Sequence, residues 1–312
     1  MQENVTCIVV TYNRKVLLEE CLNAIYSQTV SIRNMILIDN ASTDGTKEML
    51  KSKGFLDKQG FGYHLMESNL GGSGGFYEGM KRVPVDTDWA WIMDDDTIPN
   101  PDCLEKLLAA SKVTKEKVSF YASSVFGPVK EPMNIPTVDF KLTENGYPNW
   151  YFYLENKMVK ICNATFVSLL INNDALKKCG LPCKDYFIWG DDTEYTTRLT
   201  THYGPAYMVG DSVVCHKRVG AKALSITSED NSNRINNYFY YYRNLLVNTY
   251  IYKGKKEGSK LAVKCFVFGV KLLRKDYGFE KCKIVLRAVK HGCREWKNFE
   301  EYISGQIGEE KT

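Results

Sequence analysis

Three adjacent carboxylates, Asp94-Asp95-Asp96, close a short apolar run, Trp89–Met93 (WAWIM). Neighbouring carboxylates repel one another unless a cation or solvent compensates. Hard oxygen ligands select Mg²⁺ or Mn²⁺, and a nucleotide diphosphate would complete the shell of either ion. Alternation along an extended chain sends Asp94 and Asp96 to one side. Those two are expected to share a metal–phosphate unit, while Asp95 points elsewhere. A solvated acidic turn would carry the same letters. The buried strand that delivers these carboxylates is what argues for a functional edge.

A second acidic set lies in Trp189-Gly190-Asp191-Asp192-Thr193-Glu194-Tyr195. A group transfer to a hydroxyl needs a base for that hydroxyl, and Asp191 or Asp192 could supply it. Acidic residues here also suit a helix N-terminus, where they complement the dipole. His216 ends the strand-like run Val213-Val214-Cys215. Its neutral imidazole is an apt third protein ligand for a Mn²⁺-like ion. Lys217 and Arg218 beside it could meet phosphates or lie in solvent.

Two further segments could touch a nucleotide. Asn69–Gly75 (NLGGSGG) is a Gly-rich loop whose backbone can approach a ribose or phosphate, with Gly72 and Gly74 as candidate contacts. It matches neither the P-loop nor the dinucleotide fingerprint. Tyr238-Phe239-Tyr240-Tyr241-Tyr242-Arg243-Asn244 is aromatic on more than one helical face. Arg243 is a candidate for diphosphate binding through its fork.

Strands alternating with helices must position these groups. Val5–Val10 reads as a buried parallel strand, residues 15–28 as a helix, Met35–Asp39 as a second strand and Gly62–Glu67 as a third. Phe76–Val83 reads as a helix, Trp89–Met93 as a fourth strand, and a helix follows the Asn100-Pro101-Asp102 cap. This alternation predicts an α/β fold with a doubly wound, mostly parallel sheet flanked by helices and a C-terminal helical extension. Ligands of such sheets gather at the carboxyl ends of the strands. Residues 1–228 are expected to form the catalytic domain that carries these groups, and 229–312 a helical, basic region.

Four His and ten Cys without a CxxC pair argue against a zinc-ribbon site. No basic n-region precedes the apolar run at Val5, which with free thiols fits a reducing cytoplasm. Residues 253–297 hold 14 Lys/Arg against 4 Asp/Glu, a net of +10, within a chain of net charge +4. A basic tail on an acidic body suggests contact with phosphates or an anionic membrane rather than nucleic acid. Leu261, Cys265, Phe268 and Leu272 form one helical stripe beside Lys260, Lys264, Lys271 and Lys275. Such a face can lie on anionic lipid.

Together, VVTYNR, IDNASTDGT, the Asp triplet and WGDDTEY resemble family 2 glycosyltransferases of the GT-A fold, in that family's order, over roughly residues 4–250. NLGGSGGFYEGM, WIMDDD, WGDDTEY, CHKR and YYYRN look most like galactofuranosyltransferases and their rhamnosyltransferase relatives. The resemblance implies that Thr11, Asn13, Arg14 and Asp39 hold the nucleoside. Asp94 and Asp96 would manage metal and diphosphate, with Asp95 also at the nucleotide sugar and His216 as a further metal ligand. Asp192 would be the base, Asp191 the second choice, and Trp189 would line the acceptor site. The implied activity is inverting, Mn²⁺- or Mg²⁺-dependent transfer, with UDP-galactofuranose favoured and dTDP-rhamnose as alternative. The acceptor would be a lipid-linked glycan at the inner face of the cell membrane, in cell-surface polysaccharide synthesis. A nucleotidyltransferase and a non-catalytic glycan or nucleotide-sugar-binding module are the rivals from other classes.

Overall fold

The computed structural model describes residues 3–218 and 225–308. Their strands are β1 (Val5–Thr11), β2 (Asn34–Asp39), β3 (Phe61–Leu65), β4 (Trp89–Asp94), β5 (Thr97–Pro99), β6 (Phe120–Phe126), β7 (Thr137–Val138), β8 (Met158–Asn163), β9 (Leu169–Asn172) and β10 (Ala206–His216). They form one sheet in the order β3-β2-β1-β4-β9-β6-β10-β8-β7, with β5 pairing β10. β3, β2, β1 and β4 are mutually parallel, as are β6 and β10. β9 runs antiparallel between β4 and β6, so β4, β6 and β10 all point the same way. The expected α/β sheet is present, and β9 makes its middle mixed.

β1 is buried at every position because both faces of the sheet are covered. Cys7 and Val9 pack with Leu18 and Leu22 of helix α1 (Lys15–Tyr26) and Leu104 and Leu107 of α4 (Cys103–Val113). Ile8 and Val10 point the opposite way, toward Phe76 and Met80 of α3 (Gly71–Met80). The same layer holds Tyr195 and Leu199 of α6 (Asp191–His202). Short α2 (Thr46–Ser52) and α5 (Asn173–Cys179) complete the two layers. Each fully buried Leu or Ile contributes about 1.5–3 kcal/mol.

The C-terminal helices are α7 (Ser232–Lys271), broken at Gly254, and α8 (Gly278–Gln306). They build their own cluster from Ile235, Tyr238, Leu246 and Cys265 against Val285, Ala288 and Val289. Leu261, Cys265, Phe268 and Leu272, the stripe read as facing lipid, lie in that cluster or against it. No helix among the described residues is long and apolar enough to cross a membrane. All ten cysteines are free thiols.

Candidate active site

Asp94 is the last residue of β4, and the chain turns at Asp95-Asp96 into β5. β5 pairs antiparallel with the end of β10, setting Thr97 opposite His216. The Lys217 amide donates to the Asp96 carbonyl at 2.8 Å and locks that turn. As a result Asp94, Asp96 and His216 each offer one ligand atom, all within 4.8 Å of one another. His216 Nε2 stands 3.0 Å from Asp96 Oδ1, and its Nδ1 lies 2.8 Å from Asn134 Oδ1. Asn134 Oδ1 is placed to accept from Nδ1–H, which in the neutral imidazole leaves the Nε2 lone pair for a ligand.

The electrostatics fit a cation. Burial, then repulsion from Asp96, pushes the Asp94 carboxyl up to about 8. Burial alone would depress the His216 imidazole, but the adjacent Asp96 carboxylate prevails and raises it. Two carboxylates and one imidazole are a donor set suited to Mn²⁺ or Mg²⁺, and a cation relieves the repulsion that raises Asp94.

Asp95 does face elsewhere, as strand alternation predicts. Thr11 Oγ1 donates to its Oδ2 at 2.7 Å, and Arg14 Nη1 approaches its Oδ1 at 3.4 Å. The same Arg14 nitrogen donates to Asp96 Oδ2 at 2.6 Å, with about half of the side chain exposed. Thr11, read as a nucleoside contact, is 1% exposed and spends its hydroxyl on Asp95. Burial raises Asp95 to about 6 despite the opposing Arg14 and Thr11.

Asp39 ends β2 beside this edge. Its carboxylate accepts from the Tyr63 hydroxyl at 2.8 Å and from the Ser42 amide at 2.8 Å. Asn13, in the left-handed region at φ 53°, accepts from the Thr43 amide at 2.7 Å and donates its own amide to Ser42 Oγ at 2.9 Å. These bonds tie the segments after β1 and β2 into one wall.

The Gly-rich run is not a loop: Gly72 and Gly74 lie in the first turns of α3. Its glycines are needed for close approach of helix to sheet. A Cβ on Gly75 would sit 2.4 Å from Val10 Cγ1, and one on Gly79 2.4 Å from Ile8 Cγ2. Gly74 would meet Leu70, whereas Gly72 faces open space. The demanding position is Gly71, at φ 71°, where the Phe187 carbonyl occupies the place of a Cβ.

That contact carries the second acidic set to the same edge. Asn40, next after β2, donates to the Gly71 carbonyl at 3.0 Å, and the Ser73 amide donates to the Phe187 carbonyl at 3.2 Å. Phe187 (φ 65°), Trp189 (φ 61°) and Gly190 (φ 93°) then turn the chain sharply into α6. α6 returns to β10 through a three-residue connection, so it runs against β10. Its N-terminus, with Asp191 and Asp192, therefore points toward the edge that holds His216. Burial, then repulsion from Asp192, holds Asp191 well above the usual carboxylate range. Burial also raises half-buried Asp192, opposed by the Thr193 amide and hydroxyl, which donate at 2.6 and 3.3 Å.

Glu194 belongs to the frame. It forms a two-pronged pair with Arg198, at 2.9 and 2.7 Å, with both side chains fully buried. The Tyr252 hydroxyl donates to it at 2.8 Å.

Arg243 requires a correction. Its guanidinium is buried against the Phe239, Tyr240 and Phe299 rings, and its donors go to the carbonyls of Asp185 and Tyr186 and to Asn244 Oδ1. Those bonds leave it a brace for the turn rather than a diphosphate clamp. Asn244 Nδ2 reaches the carbonyls of Tyr186, Ile188 and Trp189 at 3.1, 3.2 and 2.7 Å, and Asn248 Nδ2 that of Gly190 at 2.9 Å. Sequence reasoning missed Asn134, Asn244 and Asn248. The Tyr-rich run beside Asn244 was the one available signal. Trp189 is half-buried against Tyr238 and Tyr241 of α7. Next to this turn, Phe187, Phe239, Tyr240, Asn236, Asn237, Arg287 and His291 line a cleft of about 500 Å³.

Residues 6–178, more than half of the chain, match the family described as Glycosyl transferase family 2. The chain belongs to glycosyltransferase family 2. Among family relatives, the galactofuranosyltransferase GlfT1 of Mycolicibacterium smegmatis is 27% identical over 202 residues, covering 63% of this chain and 65% of that one. GlfT1 of Mycobacterium tuberculosis is 26% identical over 204 residues, covering 64% and 65%. The chain thus spans 65% of the length of the curated relatives it matches. Two solved structures are similar in fold at 14% identity. S. aureus TarS 1–349 in complex with UDP has a TM-score of 0.54, covering 97% of this chain and 92% of that one. GalNAc-T7 with UDP, GalNAc and Mn²⁺ has a TM-score of 0.62, covering 97% and 57%. The sheet and its helical layers are the GT-A architecture.

Proposed function

We propose that this family 2 chain transfers galactofuranose from UDP-galactofuranose, with inversion, onto a lipid-linked glycan at the inner face of the cell membrane, in cell-surface polysaccharide synthesis. The observation that carries this reading is the division of acidic groups along one sheet edge. Asp94, Asp96 and His216 are clustered for a cation, and Asp192 stands apart at the start of a helix. The galactofuranosyl assignment is supported by the GlfT1 relatives.

Asp192 accepts the proton of the acceptor hydroxyl as that oxygen attacks the anomeric carbon. The bond from that carbon to the β-phosphate oxygen breaks, and UDP leaves from the opposite face. Asp94, Asp96 and His216 would hold Mn²⁺ or Mg²⁺, which when bound supplies positive charge for the departing diphosphate. Thr11 and Arg14 hold Asp95 and Asp96 in register, and the exposed part of Arg14 leaves a guanidinium for phosphate oxygens. Asn13 and Asp39 line the nucleoside side. The cleft lined by Phe187, Tyr240, Asn236 and Asn237, next to the turn that carries Trp189, is the acceptor side, since aromatic faces and amides are the usual means of gripping sugars.

We divide the chain at 228/229 into a catalytic domain and a helical region that braces the base turn. The test is a panel of nucleotide sugars with Mn²⁺ or Mg²⁺, read as sugar transfer and UDP release. Metal-dependent transfer from UDP-galactofuranose is expected. Transfer from dTDP-rhamnose alone would move the donor assignment, and pyrophosphate release from a nucleoside triphosphate would replace the reaction.

A further inference from the structure

Beyond Gly254, α7 presents three faces. Cys265 points inward, as does Leu272 just past the helix end, with Leu261 and Phe268 packed beside them. On the outside, Val263, Phe266, Val267 and Val270 recur at the i, i+3, i+4, i+7 spacing of a single stripe, between 43% and 64% exposed. Lys260, which pairs with Glu257 at 2.7 Å, runs with Lys264 and Lys271 along one flank of it. The turn that follows adds Leu273 and Tyr277, and the start of α8 adds Phe279, all more than half exposed.

An apolar stripe exposed along two turns of a helix, as from Val263 to Val270, marks a contact surface. We propose that this ridge docks the protein on an anionic lipid surface. Val263, Phe266, Val267 and Val270 enter the headgroup–acyl boundary, while the lysine row meets lipid phosphates. The inference deepens the membrane-side reading of the acceptor and rests on it for its purpose, though not for its geometry.

Charge selects the occupant. A helix with apolar residues on its outer face and Lys on the flank has the pattern of an interfacial helix. Pairing two copies through this face would also crowd their lysine rows. A second exposed apolar set, Phe140, Leu142, Tyr147, Phe152 and Leu154, is interleaved with Lys141 and Lys157 as well as Asp139, Glu144 and Glu155 and offers no single sign. Since the first half of α7 holds the turn before Asp192 through Asn244 and Asn248, docking its second half would set the active edge at a fixed height above the lipid.

The experiment is flotation of the full chain with vesicles of phosphatidylglycerol and phosphatidylcholine in equal parts, against vesicles of phosphatidylcholine alone. UDP release with a soluble acceptor is assayed in parallel. The wild type should float with the anionic vesicles. Phe266→Ser with Val267→Ser should cut the bound fraction about tenfold or more. Lys260→Glu with Lys264→Glu should remove the preference for phosphatidylglycerol. Both variants should keep the helical circular dichroism and UDP release of the wild type. Absence of flotation, or flotation unchanged in the serine variant, overturns the proposal. So does a lipid-free dimer that the serine variant dissolves, since a second copy then occupies the ridge. Flotation without transfer would sink the galactofuranosyl reading alone.

Discussion

His216 and Asp96 face each other with 3.0 Å between Nε2 and Oδ1, although 120 positions separate them in the chain. They meet because β5 folds back along β10 and puts Thr97 opposite His216. A three-residue strand, too short to stand out as a pattern, is thus what assembles the proposed cation site. It joins candidate ligands from the end of β4 to one from the end of β10.

The orientation of His216 depends on Asn134, which accepts from its Nδ1. Asn134→Ala should weaken Mn²⁺ binding about 10–100-fold while leaving the fold intact. Titration of Mn²⁺ by calorimetry reads this directly. Binding should tighten as pH rises toward the raised Asp94 value of about 8, since cation and proton compete for the same oxygens. Stripping divalent ions with a chelator should abolish transfer, and Mn²⁺ should restore it.

Asp192 tests the chemistry. Asp192→Asn should lower transfer by about 10²–10⁴-fold with UDP affinity unchanged. Burial raises the carboxyl, and the base works only when ionised. Wild-type transfer should therefore be lost as pH falls through a value above the ordinary carboxylate range. The sign for stability is opposite. A raised folded-state value means that ionised Asp192 costs the fold stability at higher pH, and this is regained on acidification. An acid limb at the ordinary carboxylate value would remove Asp192 from the role.

What the sequence made legible follows from burial. β2 and β4 are buried along nearly their whole length, so Met35–Ile38 and Trp89–Met93 appear as unbroken apolar runs with a carboxylate where each strand leaves the sheet. Asp39 and Asp94 were visible for that reason. NLGGSGG misled because glycine serves loops and tight helix–sheet contact alike, and only Val10 and Ile8 beneath α3 decide between them. Arg243 misled because a guanidinium fits a phosphate or a set of carbonyls equally well. The outer ridge of α7 stayed hidden because one apolar stripe was already assigned to a face, and which stripe turns inward depends on α8.

Glu194 separates framework from chemistry within one motif. Its pair with Arg198 is fully buried and shares Tyr252, so Glu194→Ala leaves a guanidinium without its charge partner. The expected cost is about 3–5 kcal/mol, read by denaturant unfolding. Transfer by whatever fraction remains folded should stay near the wild-type rate per folded molecule, in contrast to Asp192→Asn.

Asn244 is a positioning residue. Its amide nitrogen holds the carbonyls of Tyr186, Ile188 and Trp189 while Phe187 and Trp189 sit in left-handed conformations. Such backbone persists only where its surroundings hold it. Asn244→Asp keeps the shape but loses the donors, and its oxygens would face three carbonyls. It should lower kcat about tenfold or more through misplacement of Asp192, with the KM for the nucleotide sugar nearly unchanged. The acid limb of the pH profile should also move, as the burial of Asp192 changes with the turn. A purely packing role predicts the contrary: Asn244→Asp would then keep kcat and the pH profile, and only the melting temperature would shift.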